Sequence, residues 1–320
     1  MRTATSSLEI AAPLPLPRGK GRWQTASRDL RRNRHIYLML LPVVLYYLIF
    51  HYGPMYGAVI AFQDFNPVRG VVGSPWVGLQ NFQDFFSSVY FARLIVNTLA
   101  INVLDLVFGF PAPIILALLI NELRWNPFKR LVQTVTYLPH FISVIVVVGM
   151  LFDFLARDGV VNQLLASPDP IAFMQSPDWF RQLFVGSGIW QHVGWGSIVY
   201  LAAIATIDPQ LYDAAKVDGA DRFRQIWHIT IPGILPTIVI LLILRMGSMM
   251  AVGYEKIILM YNPLTYETAD VISTYVFRRG ILQADFSFSA AVGLFNSVIN
   301  FGLLLAANRI SRRLTEHSLW

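Results

Sequence analysis

The chain has 320 residues, of which 55% are hydrophobic and 14% charged, and a mean hydropathy of +0.52, which exceeds what the core of a soluble domain needs and implies an integral membrane protein. Its net charge of +6 does not point to nucleic acid, because 17 of the 25 Lys and Arg residues fall in four segments, 1–35, 121–130, 207–231 and 308–320, that share one side of the membrane. The chain contains no Cys, which excludes a disulfide framework, a thiolate zinc site and an iron–sulfur cluster.

In chain order, residues 1–35 form a basic tail that includes Pro13, Pro15 and Pro17, with a surface helix expected over 27–34. The apolar run that follows, 36–62, is too long for a cleavable leader and lacks a small-residue cleavage site, so it reads as a retained first span. Further runs at 94–120, 131–156, 183–207, 232–254 and 288–307 each reach the roughly 20 residues a crossing requires. They lack the alternation of barrel strands, and the hydrocarbon core demands internally bonded backbone, so the expected class is all-α with six transmembrane helices. The sorting of positive charge places both termini and the segment between the fourth and fifth spans in the cytoplasm. The outer loops 63–93, 157–182 and 255–287 carry Trp76, Trp179, Tyr261 and Tyr266 as expected interfacial anchors.

Charged groups inside spans are expensive and mark candidate function. Asp105 in the second span and Arg245 in the fifth lie ~16 Å from the outer face and ~20 Å from the inner face at the helical rise, so their depths permit contact. A buried pair fixing helix packing and a guanidinium reading sugar hydroxyls or carboxylates are both open readings. Trp190, Gln191, His192, Trp195 and Tyr200 of the fourth span could meet sugar rings or fill space beside Gly186, Gly188, Gly194 and Gly196, which mark close helix packing. Gly293, Asn296 and Asn300 share one face of the sixth span, lining a path or bonding a neighbour. His51, His140 and His228 lack metal-ligand spacing.

Between spans four and five, Asp208-Pro209 reads as a capped helix start, Gly219 as its left-handed end and Asp221 as the cap of a second helix, which runs until Pro232 opens the next apolar run. Ala214 and Ala215 give the first helix a smooth surface with the Asp213 carboxylate beside it, a shape for docking rather than catalysis.

These residues resemble the "EAA" coupling loop of ATP-binding-cassette import permeases. Ala214, Ala215, Asp218, Gly219, Ala220 and Pro232 match the pattern, and Asp213 stands where the family usually has Glu. Gly78-Leu79-Gln80-Asn81-Phe82, Gly109-Phe110-Pro111-Ala112-Pro113, Tyr137-Leu138-Pro139, Asp158-Gly159-Val160-Val161-Asn162 and Tyr261-Asn262-Pro263 resemble the carbohydrate branch handling oligosaccharides and polysaccharides, in particular the first permease of alginate importers. The resemblance implies a type I importer permease fold over 36–320 with a coupling loop at 207–236, in the bacterial inner membrane. It implies a second related permease subunit, two cytoplasmic ATPase subunits that bind ATP and Mg, and a separate extracytoplasmic solute-binding protein. The chain itself has no G-x-x-x-x-G-K-[ST] loop, H-E-x-x-H pair or G-x-S-x-G elbow, so neither a cofactor nor an enzymatic activity is expected of it. An ion-coupled carrier or channel acting without an ATPase is the rival reading.

Overall fold

The computed structural model describes residues 32–166 and 168–315. Nearly all of the basic tail, with its expected surface helix, lies outside them. Among the described residues the chain is helical, with one isolated antiparallel bridge between Gln63 and Trp76. It divides into two units, Met1–Gly57 and Ala58–Trp320.

The first unit holds α1, Arg34–Tyr47, which runs on through a π-helical turn at Leu48–Tyr52. Pro54 has no N–H for the normal ladder, and the bond from Gly53 N to Leu48 O shifts the register by one residue.

In the second unit the same device recurs twice. Helix α2, Phe91–Glu122, carries a π-helical turn at Asp105–Gly109 just before Pro111, where Phe110 N bonds Asp105 O. The third predicted span is not one helix. It is α3, Asn126–Phe141, and α4, Val144–Phe154, bent by 101°. Pro139 ends the first and the Ser143 hydroxyl caps the second by accepting from Val146 N. Helix α4 alone is ~16 Å long, too short to cross. Helix α5, Pro177–Ile204, starts six residues before the predicted span because Pro177 suits a first turn.

Helix α6, Pro209–Val217, precedes α7, Arg222–Met246. Pro232 does not open a new helix, contrary to the sequence expectation. A π-helical turn at Ile226–Thr230 absorbs its missing N–H and α7 continues through it. The predicted fifth span is too long at its far end, since α7 stops at Met246 and the chain turns through Gly247–Met250 before α8, Tyr254–Met260. Helix α9, Ile272–Phe277, and α10, Phe286–Thr315, complete the unit.

Among the described residues four helices are long and apolar enough to cross a membrane, or five if the bent α3–α4 pair is one span. Helix α5, with 28 residues, is of similar length to these, but Gln191, His192 and its glycines dilute its hydropathy.

Helix α5 is central to this unit, packing against the second half of α2, against α3 and against α7. Gly194 permits one crossing, because a Cβ there would collide with the backbone of Thr136 in α3. Three apolar clusters stabilise the unit. One gathers Ile101, Val148, Phe180 and Ile257, a second Phe85, Leu94, Tyr275 and Phe288, and a third Ala117, Tyr200, Ile204 and Ile234.

The segment between α8 and α10 carries a buried ionic knot. Asp270 is fully buried, accepts two bonds from Arg278 at 2.9 and 2.6 Å, and lies 3.5 Å from Arg93. Asn97 of α2 donates to the carbonyls of Glu267 and Asp270 and accepts from Arg181 of α5. Tyr261 and Tyr266 pack on the Arg278 guanidinium. Burial opposes the Arg278 charge, but hydrogen bonds to Asp270 and Tyr261 outweigh it and hold the group above its ordinary range. The motif asparagines act locally too. Asn81 donates to the carbonyls of Ala61 and Gln63, and Asn162 to those of Ala156 and Ile171.

Candidate functional site

Two places combine the predicted residues. The first is the helix–turn–helix between α5 and α7. The Asp208 carboxylate accepts from Gln210 N at 2.9 Å, capping α6, and the Asp221 carboxylate accepts from Arg224 N at 2.8 Å, capping α7. Between them Gly219 adopts φ +76° and Ala220 N closes back on Ala215 O at 2.8 Å. That left-handed step ends α6, as its sequence implied. Gln225 donates to Ala220 O, fixing the turn against the next helix.

No residue of α6 is buried. Asp213, Ala214 and Asp218 are exposed and Ala215 is half-buried, with Asp213 paired to Lys216 at 2.9 Å, both well exposed. Such a pair is weak and easily exchanged for another partner. Phe223 and Trp227 stack 6.4 Å apart and are mostly exposed, an apolar patch that the sequence reading treated only as helix. Two polar ties hold the segment, Tyr212 to Thr230 at 3.0 Å and Arg222 to Glu122 at 3.4 Å.

The second place is a cavity of about 970 Å³ walled by the π-helical turn of α2, the polar face of α5, the end of α7 and the start of α8. Arg245 and Asp105 both line it and are ion-paired to each other, and Arg245 also donates to Asn102 Oδ1 at 3.3 Å. The contact between their depths is thus realised. Helix α7 places Arg245 in its last turn, and the π-helical turn of α2 points Asp105 toward it.

Gln191 borders the cavity, yet its amide donates to Ile142 O at 2.8 Å, satisfying a carbonyl freed where α3 breaks from α4. His192 also borders it, 3.2 Å from His140 across the same break. His140 stacks on Trp195, 4.5 Å between ring centres, and Trp195 itself does not line the cavity. Nor do Asn296 and Asn300. Asn300 accepts from Met250 N at 2.8 Å, while Asn296 borders a separate cavity of about 430 Å³. Lys256 lines the large cavity although sequence reading assigned it to an outer loop. Among the described residues no three His, Asp or Glu side chains converge to hold a metal ion.

Comparison with known proteins fits this geometry. Residues 109–316 match the family described as binding-protein-dependent transport system inner membrane component. Protein LplB of Bacillus subtilis (strain 168) is 48% identical over 309 residues, covering 95% of this chain and 96% of that one. The polygalacturonan/rhamnogalacturonan transport system permease protein YteP of the same organism is 45% identical over 294 residues, covering 91% and 92%. A chain in the crystal structure of a bacterial alginate ABC transporter in complex with alginate pentasaccharide-bound periplasmic protein superposes with a TM-score of 0.84 at 45% identity, covering 91% of this chain and 99% of that one.

Proposed function

Because the chain belongs to the family of binding-protein-dependent transport system inner membrane components, we propose that it is the permease subunit of a bacterial ATP-driven importer of acidic oligosaccharides or polysaccharides, alginate among them. Its relatives' names supply the substrate class. A cavity in which Asp105 answers Arg245 and Lys256 stands nearby is consistent with sugars that bear carboxylates.

One observation carries the mechanism. Helix α7 runs unbroken from Arg222, capped within the exposed helix–turn–helix, to Arg245 in the cavity wall. At the helical rise its 25 residues form a rod of ~37 Å. A partner pressing on α6 and on the Phe223–Trp227 patch would move the cavity wall directly, without relying on a flexible linker.

In this reading six spans cross the inner membrane, with α1, α2, the broken α3–α4 pair, α5, α7 and α10 as the crossings. Both termini and the 207–236 loop face the cytoplasm, and 36–320 is the transmembrane domain. Asp213, Ala214, Ala215, Asp218, Gly219, Ala220 and Pro232 form the docking element for one of two cytoplasmic ATPase subunits, which bind ATP and Mg. A second, related permease subunit completes the path, and a solute-binding protein delivers substrate from outside. Arg245, Asp105 and Gln191 border the route of the saccharide.

The chain lacks Cys, so Ala215→Cys introduces a unique thiol. Membrane-impermeant reagents should label A215C only from the cytoplasmic side, and addition of the ATPase subunits should protect it. Labelling from outside would overturn the topology. Solute uptake by the purified chain alone under an ion gradient would favour the carrier reading.

A further inference from the structure

Two cationic side chains line the large cavity, Arg245 and Lys256, and they differ in how their charge is met. The guanidinium of Arg245 already faces Asp105 and Asn102, and its charge is balanced within the wall. Lys256 is met less directly: burial opposes its charge and the Asp105 carboxylate favours it, but without a direct pair. Among the described residues it forms no ion pair with a carboxylate. Its one hydrogen bond goes to a neutral acceptor, the carbonyl of Phe184, at 2.9 Å, and its ammonium lies 4.8 Å from the centre of the Phe184 ring. An ammonium has three N–H donors. The other two remain for a ligand.

The surroundings keep that position open. Lys256 packs against α5 at Gly188, where an added Cβ would lie at ordinary van der Waals distance, 3.6 Å, from Nζ. Glu255 also borders the cavity, but it is the adjacent residue on α8, about 100° away around the helix, and is exposed. Lys256 itself is half-buried, and a hydrogen bond from an ammonium to a carboxylate is stronger than one between neutral groups.

We propose that Lys256 is the specificity residue of the cavity, donating to a uronate carboxylate of the passing saccharide, with Phe184 fixing its place. This rests on the importer reading above and adds to it the atom that reads the acid.

The test uses the complete transporter in proteoliposomes, with a short oligogalacturonate as probe and the same oligosaccharide with its carboxyl groups reduced to alcohols as control. In K256C the acid-to-neutral uptake ratio should fall about tenfold or more relative to wild type. K256R should keep the ratio, and aminoethylation of the K256C thiol, in an otherwise Cys-free complex, should restore it. An unchanged ratio in K256C, or a fall that neither arginine nor aminoethylation repairs, would overturn the assignment. Should wild type transport neither probe with any loaded binding protein, the substrate class fails instead, and the two failures are therefore distinct.

Discussion

Replacing Gly219 separates the conformational requirement of the proposed docking turn from its chemistry. The residue holds φ +76°, a region that costs an ordinary L-residue roughly 1–2 kcal/mol. A Cβ built there meets nothing within 4 Å, so the whole cost is torsional and none is steric. Helix α6 has nine residues and no buried side chain, and few contacts elsewhere can compensate. A shift of about 1.4 kcal/mol changes the population of the turn tenfold. Gly219→Val should therefore reduce binding-protein-stimulated ATP hydrolysis by the assembled transporter by about tenfold. Gly219→Asn, which tolerates the left-handed region, should remain close to wild type. The amount of complex extracted should be equal in both, since Gly219 touches no core. Wild-type stimulation in G219V, or equal loss in G219N, would refute the claim that the turn's geometry governs docking.

Three further substitutions probe the framework. Arg245→Leu leaves Asp105 without its cation and should lower stability in detergent by on the order of 1–3 kcal/mol, whereas the double change with Asp105→Asn should melt at a higher temperature than R245L alone. Asp270→Asn strips the fully buried carboxylate from Arg278 and Arg93 and should cost about 3 kcal/mol or more, seen as a lower melting temperature and poorer membrane insertion. Gly194→Leu forces a side chain into the backbone of Thr136 and should separate α5 from α3, with a loss of at least about 1–3 kcal/mol in the same assay.

The turn between α6 and α7 was readable from sequence because its determinants are local. Asp208, Pro209, Gly219 and Asp221 each act within three residues of their own position, and each does in the structure what its side chain favours. The Asp105–Arg245 pair was readable for a different reason, since charges inside apolar runs are scarce enough to suggest each other. Hydropathy could not reveal the break at Pro139, because the residues on both sides are apolar. The Pro139 and Ser143 pair is the signal that a closer reading of caps would have used. Where the fifth span stops was hidden likewise, the run from Met246 to Val252 being apolar while its backbone turns.

Lys256 illustrates a deeper limit. Its helix α8 is an outer-loop segment by order along the chain, and only the turn after Met246 folds it against α5 beside the cavity. The asparagines at positions 296 and 300 show the converse. Their spacing marks one face correctly, but that face meets the turn at Met250 and a smaller cavity rather than the large one.

Uptake of a radiolabelled acidic oligosaccharide into proteoliposomes tests the central claim most directly. With this chain, its permease partner, both ATPase subunits, loaded binding protein and ATP, accumulation against a gradient is expected, and omission of any one should abolish it. Accumulation by this chain alone, driven by an ion gradient and indifferent to ATP, would contradict the account.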